Sequence, residues 1–276
     1  MPEIPVPENP VPDSDELAAI LDEAVRAATA VPQLSLRAPL DEDEAYAVQS
    51  AGVRLRAARG DQVVGVKLGF TSKAKAEQMG VADVIVGVLH QSMEVADEGT
   101  LDVDTMIHPR IEPEVAFRLG AAVDPHADPD SDADIVAAAV EVAPAMEIID
   151  SRYENFKFSL ADVVADNTSA AAYVIGLWRP LAQTLDELDL AALEVALSVD
   201  GTEAARGSSA DILGDPLLAL AAVKRMAREH GLELPAGSVI LAGAATAAVP
   251  LEAGVTVTAD LAGLGRVSLR TGGGAA

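Results

Sequence analysis

The apolar runs in this chain are short, rich in β-branched residues and seldom followed by a helix, and that spacing limits the folds open to it. QVVGVKLGF, ADVIVGVLH, the stretch from Ser92 to Val95, RIEPEVAFRLG, PAMEIID, Ala170 to Gly176, Leu193 to Val199, SVILAGAA, VTVTADL and GRVSLRT each read as extended, bounded by glycine, proline or acidic turns. Helical spacing is confined to a few places. Asp15 to Thr29 has Ser14 as a candidate N-cap and Leu17, Ile20, Leu21 and Val25 on one face. Asp41 to Arg59 places Ala45, Val48, Val53 and Leu55 inward, and SKAKAEQMG, Ile135 to Val142 and Asp215 to Gly231 are further helical segments. A doubly wound parallel sheet needs a helix after nearly every strand. The chain lacks that alternation, so the expected class is α+β, with a large mixed, curled β-sheet and a small N-terminal helical cap. The expected divisions are a flexible proline-rich arm over 1–14, the helical cap over 15–60, the mixed β-sheet domain over 61–271 and a flexible tail over 272–276.

Half of the 276 residues are hydrophobic, enough for a sizeable core, although much of that share is alanine and aromatics make up only 3%. No apolar run reaches the length of a membrane span, and the acidic start MPEIPVPENPVPDSDEL lacks the basic and apolar segments of a signal peptide, so a cytoplasmic protein is expected. The formal net charge of −25 disfavours nucleic acid and anionic membrane as partners. With no cysteine there is no disulfide, thiolate metal site or cysteine nucleophile.

The segment HPRIEPEVAF carries the most chemistry. Alternate residues of a strand share a face, so Glu112 and Glu114 project to one side, with Ile111 and Val115 opposite. Two carboxylates this close repel unless a cation or proton lies between them. Spacing alone leaves a solvent-facing polar edge as the alternative. Glu147 lies inside a second apolar strand, between Met146 and Ile148, where a carboxylate needs a partner; Arg110 or Arg152 could pair with it instead of a metal. Three carboxylates without a thiolate select a hard ion, Mg²⁺ or Mn²⁺. Lys67, set among Val66, Leu68 and Phe70, is a candidate for a lowered pKa and for proton transfer or enolate stabilisation; a snorkelling surface lysine is the alternative. Tyr153, Phe156 and Phe70 could line a pocket or pack the core.

GVKLGFTS, IHPRIEPEVAF, VAPAMEIIDSRYENFKF and VVADNTSAAAYVIG occur in an order that resembles the 2-oxopent-4-enoate hydratase and 4-oxalocrotonate decarboxylase family, within the fumarylacetoacetate hydrolase superfamily. The likeness runs from about Asp41 to Leu269. It implies Glu112, Glu114 and Glu147 as ligands to Mg²⁺ or Mn²⁺ and Lys67 beside the substrate. It also implies that Asp166 and Asn167 bind substrate or hold a turn near the site. SSADILGDP departs from a family segment that usually ends in His-Pro, with Asp215 in the histidine's place. SRYENFKF, with Tyr153 and Phe156, and AGAATAAVP, with Thr246, resemble the decarboxylases more than the hydratases. The implied activity is metal-dependent decarboxylation of 2-oxo-3-hexenedioate in aromatic meta-cleavage degradation. The alternatives are hydration of 2-oxopent-4-enoate or another hydrolase or dehydratase reaction of the superfamily. A homo-oligomer, possible association with a hydratase, and a small 2-oxo dicarboxylic acid substrate complete the expectation.

Overall fold

A computed structural model describes residues 13–72, 83–128 and 131–273. The expected arm up to residue 12, most of the helical segment SKAKAEQMG and the last three residues of the tail lie outside them.

The strands are β1 (Val63–Gly69), β2 (Ile85–His90), β3 (Glu94–Val95), β4 (Thr100–Asp102), β5 (Arg110–Leu119), β6 (Ala139–Ile149) and β7 (Ala170–Ile175). They continue with β8 (Arg179–Pro180), β9 (Glu194–Val199), β10 (Thr202–Ser208), β11 (Val239–Ala244), β12 (Val249–Pro250), β13 (Thr256–Leu261) and β14 (Gly265–Gly272). The helices are α1 (Ser14–Arg26), α2 (Glu42–Ala58), α3 (Ala133–Ala138), α4 (Leu160–Ala165), α5 (Leu181–Glu187) and α6 (Leu218–His230).

The larger sheet runs β2-β1-β11-β5-β6-β7-β3, with β12 on β5 and β8 on β6; the smaller runs β10-β9-β13-β14-β4. Its parallel and antiparallel pairs make the larger sheet mixed, as expected. Its curl follows from connectivity. β2 and β3 stand at opposite ends of the order, yet only the single turn Gln91–Met93 joins them in the chain. The sheet must therefore bend until its edges meet. Inside the curl, Leu89, Met93, Ala116, Ala145, Ala170, Tyr173 and Leu241 form one buried cluster. The opposite face, with Ile111, Val115, Phe117, Val142, Met146 and Ile148, joins the main core along with Val195, Leu197, Val257 and Leu269 of the smaller sheet. That second sheet was not separately legible, and the short polar β10 was not expected at all.

Three helical expectations shift. In α1, Asp13 rather than Ser14 is the N-cap, accepting the Glu16 N–H, and the buried face is Leu17, Ala18, Leu21 and Ala24, leaving Val25 exposed. The helical reading of Ile135 to Val142 ends at Ala138, because β5 captures the following residues, with Leu119 against Ala139 and Phe117 against Val142. A long ladder outweighs local helical spacing here. In α2, Asp41 and Glu44 form a capping box, and Ala45, Tyr46, Val48, Gln49 and Ala51 are buried, whereas Val53 and Leu55 are only half-buried. Among the described residues no helix is long and apolar enough to cross a membrane.

The close approach of β1 and β11 depends on Gly65, where an added Cβ would lie 2.0 Å from the Val239 carbonyl oxygen. Backbone cannot yield as a side-chain tip can. Gly65→Ala is expected to destabilise the protein by roughly 2 kcal/mol or more, read as a lower urea midpoint; an unchanged midpoint would refute this tight strand contact.

Candidate metal centre and active site

The curl brings residues from β1, β5 and β6 to one place on its inner face. Glu112 pairs with Glu147 in the β5–β6 ladder, and Glu114 lies one alternation further along β5. One carboxylate oxygen from each of the three lies within 4.8 Å of the others. Glu114 and Glu147 are fully buried and Glu112 nearly so, which removes the solvent-edge alternative. Lys67 is also buried, not snorkelling, and its Nζ approaches Glu147 Oε2 to 2.9 Å. The arginines considered for Glu147 are engaged elsewhere: Arg152 pairs with Asp166, and the Arg110 guanidinium stands 4.5 Å over the Phe156 ring.

Buried carboxylate oxygens normally accept hydrogen bonds, and leaving one unpaired costs about 1–3 kcal/mol. Glu114 Oε2 accepts the Gly243 N–H at 2.7 Å, but Glu114 Oε1 has no hydrogen-bond partner. Neither oxygen of Glu147 accepts a well-formed hydrogen bond, the Lys67 contact being an ion-pair approach. Three carboxylates against one ammonium leave a formal charge of −2, which one divalent cation would cancel. The all-oxygen donor set and the unpartnered lone pairs therefore fit a hard divalent ion.

Burial raises the Glu114 carboxyl well above the ordinary glutamate value, and repulsion from Glu147 and Glu112 adds to it. Burial also raises Glu147, with Lys67 pulling the other way. For Lys67, burial favours the neutral amine, but attraction to Glu147, Glu114 and Glu112 outweighs it and holds the pKa above that of a free lysine. The expectation of a lowered value is thus reversed. It considered the apolar neighbours in sequence and not the carboxylates across the sheet.

The other expected site residues are arranged around this cluster in different ways. Asn167 holds β2: its Oδ1 accepts the Val88 N–H at 2.7 Å and its Nδ2 donates to the Val88 carbonyl at 2.9 Å. Asp166 is buried and clamped by Arg152. Both act on the turn, the second of the two roles foreseen for them. Tyr153 is a core residue and not a pocket wall, since it is fully buried and its hydroxyl donates to the Asp162 carbonyl at 3.0 Å. Phe156 lies tilted against the His108 ring and under the Arg110 guanidinium at the start of β5. Phe70 ends β1 in a left-handed conformation, φ 57°. Thr246 donates to the Ala247 carbonyl at 2.9 Å. Asp215 accepts the Leu217 N–H ahead of α6. Gly243, whose N–H anchors Glu114, and Thr168 were not anticipated. A glycine in an alanine-rich strand gave no signal, nor did a threonine in a polar turn.

Residues 62–270 match the fumarylacetoacetate hydrolase C-terminal family. A 4-oxalocrotonate decarboxylase of Pseudomonas sp. is 44% identical over 257 residues, 93% of this chain and 97% of that protein. A 2-keto-4-pentenoate hydratase of Paraburkholderia phymatum is 35% identical over 92% of this chain and 95% of that one. The structure of 4-oxalocrotonate decarboxylase from Pseudomonas putida G7, complexed with magnesium and adipate, superimposes with a TM-score of 0.87 at 37% identity, covering 94% of this chain and 97% of that one.

Two outcomes follow for the carboxylate cluster. Glu114→Gln keeps an acceptor for Gly243 and removes one repelling charge. Its metal-free form should therefore melt a few degrees higher, on the order of 1 kcal/mol, while losing the Mg²⁺-induced rise of the wild type. An equal Mg²⁺ shift in both proteins would remove Glu114 from the ligand set. The pH response has a definite sign. Carboxyls whose folded-state pKa is raised favour the folded protein below the ordinary glutamate value, and that contribution is lost as pH rises through their elevated values. Metal requires the ionised forms, so it works in the opposite direction. The Mg²⁺-induced rise in Tm should shrink as pH falls through the raised values of these carboxyls toward the ordinary glutamate range; a constant shift would contradict this.

Proposed function

Because the chain belongs to the fumarylacetoacetate hydrolase family, we propose that it is a metal-dependent lyase that decarboxylates 2-oxo-3-hexenedioate (4-oxalocrotonate) to 2-hydroxypenta-2,4-dienoate. The observation that carries the reading is the buried group of Lys67, Glu112, Glu114 and Glu147, in which oxygens of Glu114 and Glu147 have no hydrogen-bond partner. The choice of decarboxylase over hydratase rests on the higher identity to the decarboxylase across nearly both chains.

Glu112, Glu114 and Glu147 would hold Mg²⁺ or Mn²⁺, which supplies positive charge against the carboxylate and 2-oxo oxygens of the substrate. The protein's own groups do the rest. Lys67 is protonated and presents a donor at Nζ. When the C5–C6 bond breaks and CO₂ leaves, its electron pair passes through the conjugated chain to the C2 oxygen. A proton delivered from Nζ to that oxygen yields the dienol. Leu89, Met93, Tyr173 and Leu241 keep water from the inner wall, and the departing carboxylate loses its charge most readily in such surroundings. Phe70 and Phe156 are the proposed contacts at the mouth, and Thr246 a more distant one. Asp166 and Asn167 fix the wall behind.

A homo-oligomer is part of the same reading. Association with a hydratase and a cytoplasmic setting suit an enzyme of small, diffusible acids and belong to the same proposal.

The purified protein with Mg²⁺ and 2-oxo-3-hexenedioate should release CO₂ and form the dienol, and chelation should stop both. Lys67→Met is expected to lower kcat by about 10²–10³-fold with the fold intact. Water addition to 2-hydroxypenta-2,4-dienoate without CO₂ release would transfer the assignment to hydratase. Activity surviving in Lys67→Met would remove the lysine from the chemistry.

A further inference from the structure

The loop after α4 contains three successive non-glycine residues in the left-handed region: Asn167 (φ 51°), Thr168 (φ 51°) and Ser169 (φ 60°). For a β-branched residue such as Thr168 that conformation is unfavourable, so its surroundings must impose it. They do so on both sides. Asn167 is bonded through both side-chain atoms to Val88, the Ser169 carbonyl accepts the Asp150 N–H at 2.8 Å, and Arg152 clamps Asp166. Thr168 itself gains nothing visible from this. Its hydroxyl is buried, with the residue 4% exposed, and finds no hydrogen-bond partner among the described residues.

The position of the hydroxyl explains the arrangement. Gly87 on β2 is the register partner of Lys67 on β1. A Cβ added at Gly87 would lie 2.1 Å from Thr168 Oγ1 and 3.3 Å from Lys67 Cδ. Thr168 Oγ1 and the Lys67 stem thus share the space over one glycine on the inner face. The glycine admits the hydroxyl, and the strained loop carries it there. A buried hydroxyl without a partner costs stability, and a protein that keeps one beside Lys67, itself paired with Glu147, has a use for it.

We propose that Thr168 is a substrate-binding residue, its hydroxyl donating to an oxygen of the 2-oxo dicarboxylate held beside Lys67. The inference rests on the substrate class proposed above and adds a positioning contact that the carboxylates and lysine do not supply. A donor to a charged oxygen also discriminates strongly, because without it the acceptor is left unpaired inside the curl of the sheet.

The test is calorimetric titration of 2-oxohexanedioate, which lacks the reactive double bond, into wild type, Thr168→Val and Thr168→Ser in saturating Mg²⁺. Thermal melts and CO₂ release from the true substrate are measured on the same samples. Thr168→Val should bind about tenfold or more weakly, Thr168→Ser within about threefold of wild type, and Thr168→Val should melt no lower than wild type because the hydroxyl it loses had no partner. Unchanged affinity in Thr168→Val, as expected if the hydroxyl meets only a water, would overturn the proposal. So would weaker binding matched by a lower Tm and not rescued in Thr168→Ser, since that marks a structural role. If wild type binds and Thr168→Val does not, but no CO₂ is released, the reaction assignment fails and Thr168 stands. Absence of binding by wild type overturns both.

Discussion

A lysine ammonium surrounded by three carboxylates, all shut away from water, is the constraint around which the rest of the molecule is arranged. Isolated charges of this kind are too costly to bury, so each must be set against an opposite charge at close range. Lys67 meets Glu147 only because β1 and β6, separated by β11 and β5, curve toward one another. The curl in turn requires small residues on the inner face. Ala116 and Ala145 lie one alternation from Glu114 and Glu147, and Gly65, Gly87 and Gly243 stand where a Cβ would strike a neighbour. The low aromatic content fits the same demand, since the inner face of a curled sheet that must also hold a charge cluster has little room for rings.

The helices at the N-terminal end contribute to this geometry from outside. Tyr46 of α2 accepts the Val86 N–H through its hydroxyl, and Gln49 donates to the carbonyls of Val86 and Val164. Asp162 in α4 accepts from Ser35 and Gln33, tying the segment after α1 to the helix that precedes the Asp166 turn. These bonds satisfy the edge of β2, which would otherwise expose unpaired backbone groups. They also fix Gly87 opposite Lys67. Residues with no chemistry of their own thereby set where the lysine and the strained loop can stand.

Much of this was legible in the sequence because it depends on period. The two-residue alternation of a strand places Glu112 and Glu114 on one face without knowledge of any neighbour, and the apolar residues flanking Glu147 mark it as a buried charge. What period cannot supply is the identity of the strand across the sheet. The reversed direction of the Lys67 shift, the pairing of Arg152 with Asp166 rather than Glu147, and the helix that gives way at Ala139 all turn on non-local partners. Tyr153 stayed open between two readings for a related reason. An aromatic residue between two periodic segments reads as wall or core, and only the Asp162 carbonyl that receives its hydroxyl decides between them.

The distribution of unmet polar groups gives the fold a direction. Among the described residues, the buried side-chain nitrogen and oxygen atoms without hydrogen-bond partners belong to His108, Glu114, Glu147 and Thr168. Chance would scatter such defects, and selection for stability alone would remove them. Here Glu114 and Glu147 share one cluster, Thr168 packs beside Lys67, and His108 stands at the entry to β5 against Phe156. Acceptors predominate where a cation is required, and the Thr168 hydroxyl stands beside Lys67, where an anionic organic molecule needs a donor. A divalent ion bound to an acidic molecule supplies both deficits at once, whereas either alone leaves one unmet. The protein therefore carries the complement of its ligands as a local pattern of incomplete hydrogen bonding, in a core that elsewhere is packed and satisfied.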